Sequence, residues 1–224
     1  MIWKLSPSDL TFLWDECPRC FYLKVRGQLA QPQRPMAAIY NRIDRAMKLY
    51  FRGRLATEVY PGLPEGVVEF DDRWVESAPY TSPASGHGCY IRGRFDSVIC
   101  FADGSYAVID FKTSEPRPEH VPFYGRQLHA YAYAMEHPAP GGLPLGPVTR
   151  LGLVCVEPDA LERGDDGRLA FLAKATWLEV PRDDAAFLAF LEEALALLAG
   201  DEPPPADPSC AWCRYREAAR ASVW

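Results

Sequence analysis

The sequence has no long apolar run. Its most hydrophobic stretch, AAFLAFLEEALALLAG, is too short to cross a bilayer and is interrupted by Glu192 and Glu193. The opening MIWKLSPSDL carries one lysine and no extended apolar segment after it, unlike a secretory leader. The expectation is a cytoplasmic chain with no membrane association. Excess positive charge is also missing: 24 Lys and Arg stand against 30 Asp and Glu, a net charge of -6. That balance argues against a protein that coats nucleic acid nonspecifically, while leaving room for a local basic cleft. Internal repeats and low-complexity tracts are absent beyond the short, stiff linker DEPPPADP. An even set of cysteines is lacking too. Seven thiols without a secretion signal favour metal binding or burial over a disulfide framework.

What is present fits one globular domain over residues 1–224, with 48% hydrophobic residues to fill a core. LSPSDLTFLWDEC opens a helix with Ser6 as N-cap and Pro7 at the first helical position. From Met36 to Phe51, Ile39, Ile43, Met47 and Tyr50 recur at helical spacing, with Asp44 and Lys48 beside the stripe. Three strand-like runs follow, GVVEFDDRWVES with its alternation, CYIRGRFDSVICF and SYAVIDFKT, the last two separated by the turn-forming Ala102-Asp103-Gly104. They predict an antiparallel meander. A helix near residues 121–136, strands RLGLVCVEP and ATWLEV, and a helix over 183–199 bounded by Gly200 complete the order. The fold class is α/β, with a mixed sheet core of helix, three-strand meander, helix and strand.

Within SYAVIDFKT, the two-residue period of a strand puts Asp110 and Lys112 on one face and Ile109 and Phe111 on the other. Asp96, in GRFD on the preceding strand, can face Asp110. Taken alone, Asp-x-Lys is more often a structural ion pair. Two converging carboxylates, however, suit a hard cation such as magnesium, which keeps open positions for water and phosphate oxygen. Lys112 would then orient a nucleophile and steady transition-state charge. In QLHAYAYA, Gln127 and Tyr131 lie four apart on one helical face that can look onto the same site.

GRFD, VIDFKT and QLHAYAYA, in that order, resemble the PD-(D/E)XK nuclease superfamily and its RecB-like branch. The resemblance implies a restriction-endonuclease-like core, Asp96 and Asp110 as ligands of Mg2+ or Mn2+, and the Phe111 carbonyl as a further oxygen ligand. It implies Lys112 as the catalytic lysine, with Gln127 and Tyr131 positioning the site and the strand. Many RecB-like members carry a metal-binding histidine on the helix before the meander; here AAIYNRIDRAMK offers Asp44 as a candidate ligand instead. His87, His120, His129 and His137 read as loop or helix-surface residues, with His129 nearest the site.

Cys17-Pro18-Arg19-Cys20 and Cys210-Ala211-Trp212-Cys213 form two C-x-x-C units at opposite ends of the chain. Together they suit tetrahedral thiolate coordination, making a cysteine-ligated region of 1–35 and 201–224. Cys89, Cys100 and Cys155 lie singly in apolar strands and read as core. Similarity to the four-cysteine RecB-like nucleases, including CRISPR-associated exonucleases, implies a 4Fe-4S cluster, while the two-plus-two spacing equally accommodates Zn2+. Those relatives use one N-terminal and three C-terminal cysteines, so this chain departs from them.

Arg19, Arg92, Arg94, Arg117 and Arg126, with Phe123, Tyr124 and Tyr131 among them, would supply phosphate contacts and base stacking for a single strand. The expected function is a metal-dependent DNA nuclease, an exonuclease on single-stranded ends, with protein complex partners; a DNA repair or CRISPR-type complex belongs to the alternative reading. The alternative is a catalytically silent nucleic-acid binding subunit.

Overall fold

The computed structural model describes residues 1–32 and 37–222. Met36, where the second helix is expected to begin, lies outside them. The chain starts with strand β1 (Ile2–Leu5) and a helical segment over 7–16, in which Asp9–Leu13 is a π-helical turn and Trp14–Glu16 is α1. Ser6 caps it, since its Oγ accepts the Asp9 N–H at 3.2 Å. Helix α2 (Pro18–Val25), helix α3 (Ala38–Phe51) and the short α4 (Ala56–Val59) follow.

A five-stranded sheet carries the middle of the molecule, in the order β2 (Gly66–Asp71), β6 (Ser97–Phe101), β7 (Tyr106–Lys112), β8 (Val148–Arg163) and β9 (Leu169–Val180). The expected meander is there as β2-β6-β7, all antiparallel. β8 lies parallel to β7, joined to it through helix α5 (His120–Glu136) as a crossover. Gly104 holds φ at +84° in the β6–β7 turn, which a residue without Cβ adopts at no steric cost.

Two runs that read as single strands are in fact broken. β2 gives way at Asp72 to β3 (Trp74–Glu76), and β5 (Gly88–Arg94) gives way at Phe95-Asp96 to β6. β5 pairs with β1, β3 and the two-residue β4 (Tyr80–Thr81) in a second sheet, with β1 parallel to it. The two breaks face each other: Asp72 N–H donates to Asp96 O at 3.1 Å and Phe95 N–H to Arg73 O at 3.2 Å. A continuous ribbon therefore bends at one level and passes from one sheet to the other. Asp72 takes φ +53°, and Asp is among the few side chains that tolerate that region.

Alternation along β7 sends its two faces into two cores. Ala107, Ile109 and Phe111 pack with Met47 and Phe51 of α3 and Val59 of α4. Val108, with Leu151 and Leu153 of β8, packs with Leu128 of α5 and Leu191 of helix α6 (Asp184–Ala199). Each such fully buried aliphatic side chain stabilises the fold by about 1.5–3 kcal/mol relative to exposure. The four cysteines near the termini come together where α2 meets helix α7 (Ala211–Ala221).

Other differences from the sequence reading are local. β8 and β9 run well past RLGLVCVEP and ATWLEV and form a protruding ribbon turned at Gly164 and Gly167, because the partner strand satisfies backbone groups that the polar sequence does not advertise. Gly200 bounds α6 as expected, in extended backbone with φ -61° and ψ 145°. Its carbonyl accepts the Tyr22 hydroxyl at 2.8 Å and Arg26 Nη1 at 2.5 Å, tying the helix end to α2.

Candidate active site

Asp96 sits in the bend and is oriented through both oxygens. Oδ2 accepts the Phe111 backbone N–H at 3.0 Å, and Oδ1 meets Lys48 Nζ at 2.7 Å. Asp110, on the adjacent strand, is only 3% exposed. Its Oδ1 accepts Gln127 Nε2 at 3.2 Å, and its Oδ2 forms an ion pair with Lys112. Burial pushes the Asp110 carboxyl up to about 7, with the Lys112 ammonium pulling down and the Asp96 charge adding to the rise. Burial alone would lower Lys112, but the Asp110 carboxylate outweighs it and holds the ammonium above its ordinary value.

The helix α5 side chains act on different parts of this pair. Gln127 holds Asp110 directly. Tyr131 donates its hydroxyl to the Arg94 carbonyl at 2.8 Å, fixing the backbone just ahead of the bend. Gly93 permits that approach: a Cβ there would lie 2.6 Å from Pro7 Cδ and 3.0 Å from Tyr131 Cε1. This accounts for the glycine of GRFD, which the sequence reading used only as a landmark.

Lys112 lies under aromatic cover, its Nζ 4.0 Å from the Tyr124 ring centroid and 6.0 Å from that of Phe12. Phe12 projects from the π-helical turn, packs edge-on with Phe123 and Tyr124, and is 42% exposed. Phe12 escaped the sequence reading because a lone aromatic in an amphipathic helix looks like core.

Asp44 does not join Asp96 and Asp110 directly. It contacts Lys48 Nζ at 2.9 Å, and the same ammonium reaches Asp72 at 3.0 Å. Burial works against the Lys48 charge, but Asp96, Asp44 and Asp72 together raise its pKa. In the sequence Lys48 stands only beside the apolar stripe, and its i,i+4 spacing from Asp44 is the one local signal of this pairing.

The arginines are mostly committed to neighbours. Arg94 pairs with Asp72, Arg92 with Glu76, Arg117 with Glu115 and Arg126 with Asp15, while Arg19 donates to the Pro204 carbonyl. His129 is not a surface residue: it is buried, contacts the Gly125 carbonyl through Nδ1 at 2.7 Å, and accepts the Asp183 N–H at Nε2. Nδ1 is thereby used within α5, and Nε2 joins α5 to the residue that caps α6. His87 packs against Trp3, His120 lies 4.0 Å from Cys155 Sγ, and His137 stacks on Tyr133.

Cys17, Cys20, Cys210 and Cys213 are buried, with their Sγ atoms all within 4.8 Å of one another. Contacts are 3.7 Å for Cys17–Cys213 and Cys20–Cys210, and 3.8 Å for Cys20–Cys213. Arg216 Nη2 donates to Cys20 and Cys213 at 3.2 and 3.1 Å. This donor set can hold a metal ion or cluster. Cys89 and Cys155 are core as expected, and Cys100 is half-buried.

An acid at a sheet bend, an acid-x-lysine on the next strand and a supporting helix on one face define a class. The chain belongs to the PD-(D/E)XK nuclease superfamily, whose profile matches residues 32–218. Members of this superfamily typically hydrolyse phosphodiester bonds using Mg2+ or Mn2+. Among solved structures it is similar to that titled "Crystal structure of SSO0001", with a TM-score of 0.51 and 18% identity over 98% of this chain and 85% of that one. That likeness concerns the fold. No curated protein matches the chain. Among the described residues, no helix is long and apolar enough to cross a membrane.

Proposed function

We propose that the protein is a metal-dependent deoxyribonuclease of the RecB-like branch, acting as an exonuclease on single-stranded DNA ends in the cytoplasm. The reading treats the chain as one nuclease domain. The observation that carries it is the convergence of Asp96, Asp110 and Lys112, with Asp96 locked to the Phe111 N–H. One buried oxygen supports a cation there: Gln127 Oε1, beside Asp110, accepts no hydrogen bond among the described residues.

Asp96 and Asp110 would hold the divalent ion, with the Phe111 carbonyl as a further ligand. When bound, that ion supplies Lewis-acid polarisation of a phosphoryl oxygen and lowers the pKa of a water. Lys112 orients the attacking water and offsets the charge that builds on the phosphoryl oxygens as the new P–O bond forms and the ester P–O bond breaks. Gln127 keeps Asp110 in its rotamer, and Tyr131 fixes the backbone before Asp96. The exposed Phe12, with Phe123 and Tyr124 beside Lys112, offers a stacking surface for unpaired bases, which favours a single strand.

For the cysteine site, sulfur spacing favours one tetrahedral ion. Metal–sulfur bonds of about 2.3 Å give a tetrahedron with an edge of about 3.8 Å, which the observed contacts match. A 4Fe-4S cluster places each thiolate on a separate iron and spreads them further. We therefore assign zinc ahead of the iron-sulfur cluster that the four-cysteine resemblance implies.

The test is cleavage of end-labelled single- and double-stranded DNA with Mg2+ or Mn2+ by the wild type and Lys112→Ala, with both shown to fold and retain the cysteine-bound metal. Metal-dependent shortening from single-stranded ends, lost in the variant, is expected. Normal strand binding without cutting by either protein would overturn the assignment in favour of a silent binding subunit.

A further inference from the structure

Lys48 is a lysine buried where lysines are seldom buried, at 7% exposure, and it is surrounded by acids from three separate elements. Asp44 comes from one turn earlier on α3, Asp72 from the bend after β2, and Asp96 from the matching bend before β6. Its ammonium lies 2.9, 3.0 and 2.7 Å from their respective oxygens, so each of its three N–H groups has a carboxylate within reach. The other oxygen of Asp72 is held by Arg94 at 2.7 Å, and the other oxygen of Asp96 by the Phe111 N–H.

Without that ammonium, three carboxylate oxygens would surround one point at hydrogen-bond radius, beside a site that already needs a divalent ion. Small inward shifts would bring them to the shorter distances of an oxygen-ligated cation. The point is also reachable, because Asp44, Lys48 and Asp72 line a surface cleft of about 600 Å³. Two-metal phosphodiesterases place their ions about 3.5–4 Å apart, bridged by a shared carboxylate. Asp96 stands in that bridging place here, between Lys48 on one side and the Asp110–Lys112 pair on the other.

We infer that Lys48 is a positioning residue that occupies a second cation position with its own ammonium, so that the site takes one divalent ion. The inference rests on the reading of Asp96 and Asp110 as the metal site. Lys48 fixes Asp96 Oδ1, keeps Asp44 and Asp72 turned away from the reacting centre, and supplies one positive charge that never dissociates. A single ion then completes the site on the Asp110 side. Three acids held by one lysine also explain why Asp44 does not reach Asp110 itself.

The experiment counts Mn2+ bound to the whole chain, with its cysteine site filled, by electron paramagnetic resonance without DNA. The wild type and Lys48→Arg are expected to bind one Mn2+ per chain. Lys48→Met and Lys48→Gln are expected to bind two, with the spin-coupled broadening of neighbouring ions, and adding Asp72→Asn to Lys48→Met should return the count to one. Two neutral replacements are used so that misfolding of one leaves the other to decide. Two ions in the wild type, or one in both folded neutral variants, would overturn the role of Lys48 while leaving the active-site reading intact. No ion in the wild type would overturn both, and an ion that survives Asp110→Asn would show that the bound metal lies elsewhere.

Discussion

Phe111 donates its backbone N–H to the Oδ2 of Asp96, so the residue lying between Asp110 and Lys112 also sets the position of the other acid. The acid-x-lysine run is thus more than two side chains on one strand face. Its middle residue presents its ring to the α3 core, packed nearly parallel to Phe51, while its backbone amide holds the site from behind.

This linkage separates charge from geometry at Asp96. Asp96→Asn retains an acceptor for the Phe111 N–H, whereas Asp96→Ala removes it and leaves a part-buried donor unpaired. Both variants should lose DNA cutting by at least about a hundredfold, by removing a ligand and its charge. Only the alanine variant should leave the amide unmet, a penalty of about 1–3 kcal/mol. Thermal unfolding compared with the cleavage rate checks this; equal activity of Asp96→Asn and wild type would reject the ligand role.

Gln127→Leu tests the support of Asp110. Loss of an outer-shell hydrogen bond to a ligating group typically weakens metal affinity by about 10–100-fold. The Mg2+ concentration for half-maximal cutting should rise by that factor, with secondary structure preserved by circular dichroism. An unchanged Mg2+ dependence would separate Gln127 from the metal site.

At Gly93, a methyl group meets Pro7 and Tyr131 at once. Gly93→Ala should therefore destabilise the fold by about 1–3 kcal/mol, as overpacking does. Combining it with Tyr131→Ala should recover part of that loss, because one of the two colliding groups is gone. A double-mutant cycle by urea unfolding measures the coupling, and strict additivity would refute the contact.

The cysteine clasp joins positions 190 apart, and in the chain-entropy account a cross-link of that span contributes ~5 kcal/mol. Cys213→Ala should cost the protein its bound metal, read as zinc per chain by elemental analysis. The accompanying fall in Tm should be about 10–20 °C for a chain of this size. Retention of one zinc per chain in the variant would remove Cys213 from the ligand set.

Features that depend on local spacing were legible in the sequence. The shared face of Asp110 and Lys112 follows from strand period, the helix carrying Gln127 and Tyr131 from periodicity, and the meeting of the cysteines from their two paired spacings. Features that depend on a change of backbone direction were not. GVVEFDDRWVES and CYIRGRFDSVICF each read as one strand, although the alternation lapses at Asp71-Asp72-Arg73 and at Asp96-Ser97, and Asp72 is a residue type that tolerates positive φ; a lapse in period alone does not tell a bend from an exposed stretch. Lys48 was hidden for a different reason. Lysine on an amphipathic helix ordinarily lies in water, and only the convergence of distant Asp72 and Asp96 stabilises its burial.

The Cys17–Cys20 and Cys210–Cys213 clasp closes the polypeptide into a ring where α2 meets α7. A ring can be opened elsewhere. The exposed turn between β8 and β9, around Asp165 and Asp166, offers such a place, since both strands there remain paired along their length. A backbone opened at that turn would leave two pieces joined by the clasp, with the bend, the acid pair and the cysteines in the same spatial order. The architecture therefore gives the closure of the ring to the thiols.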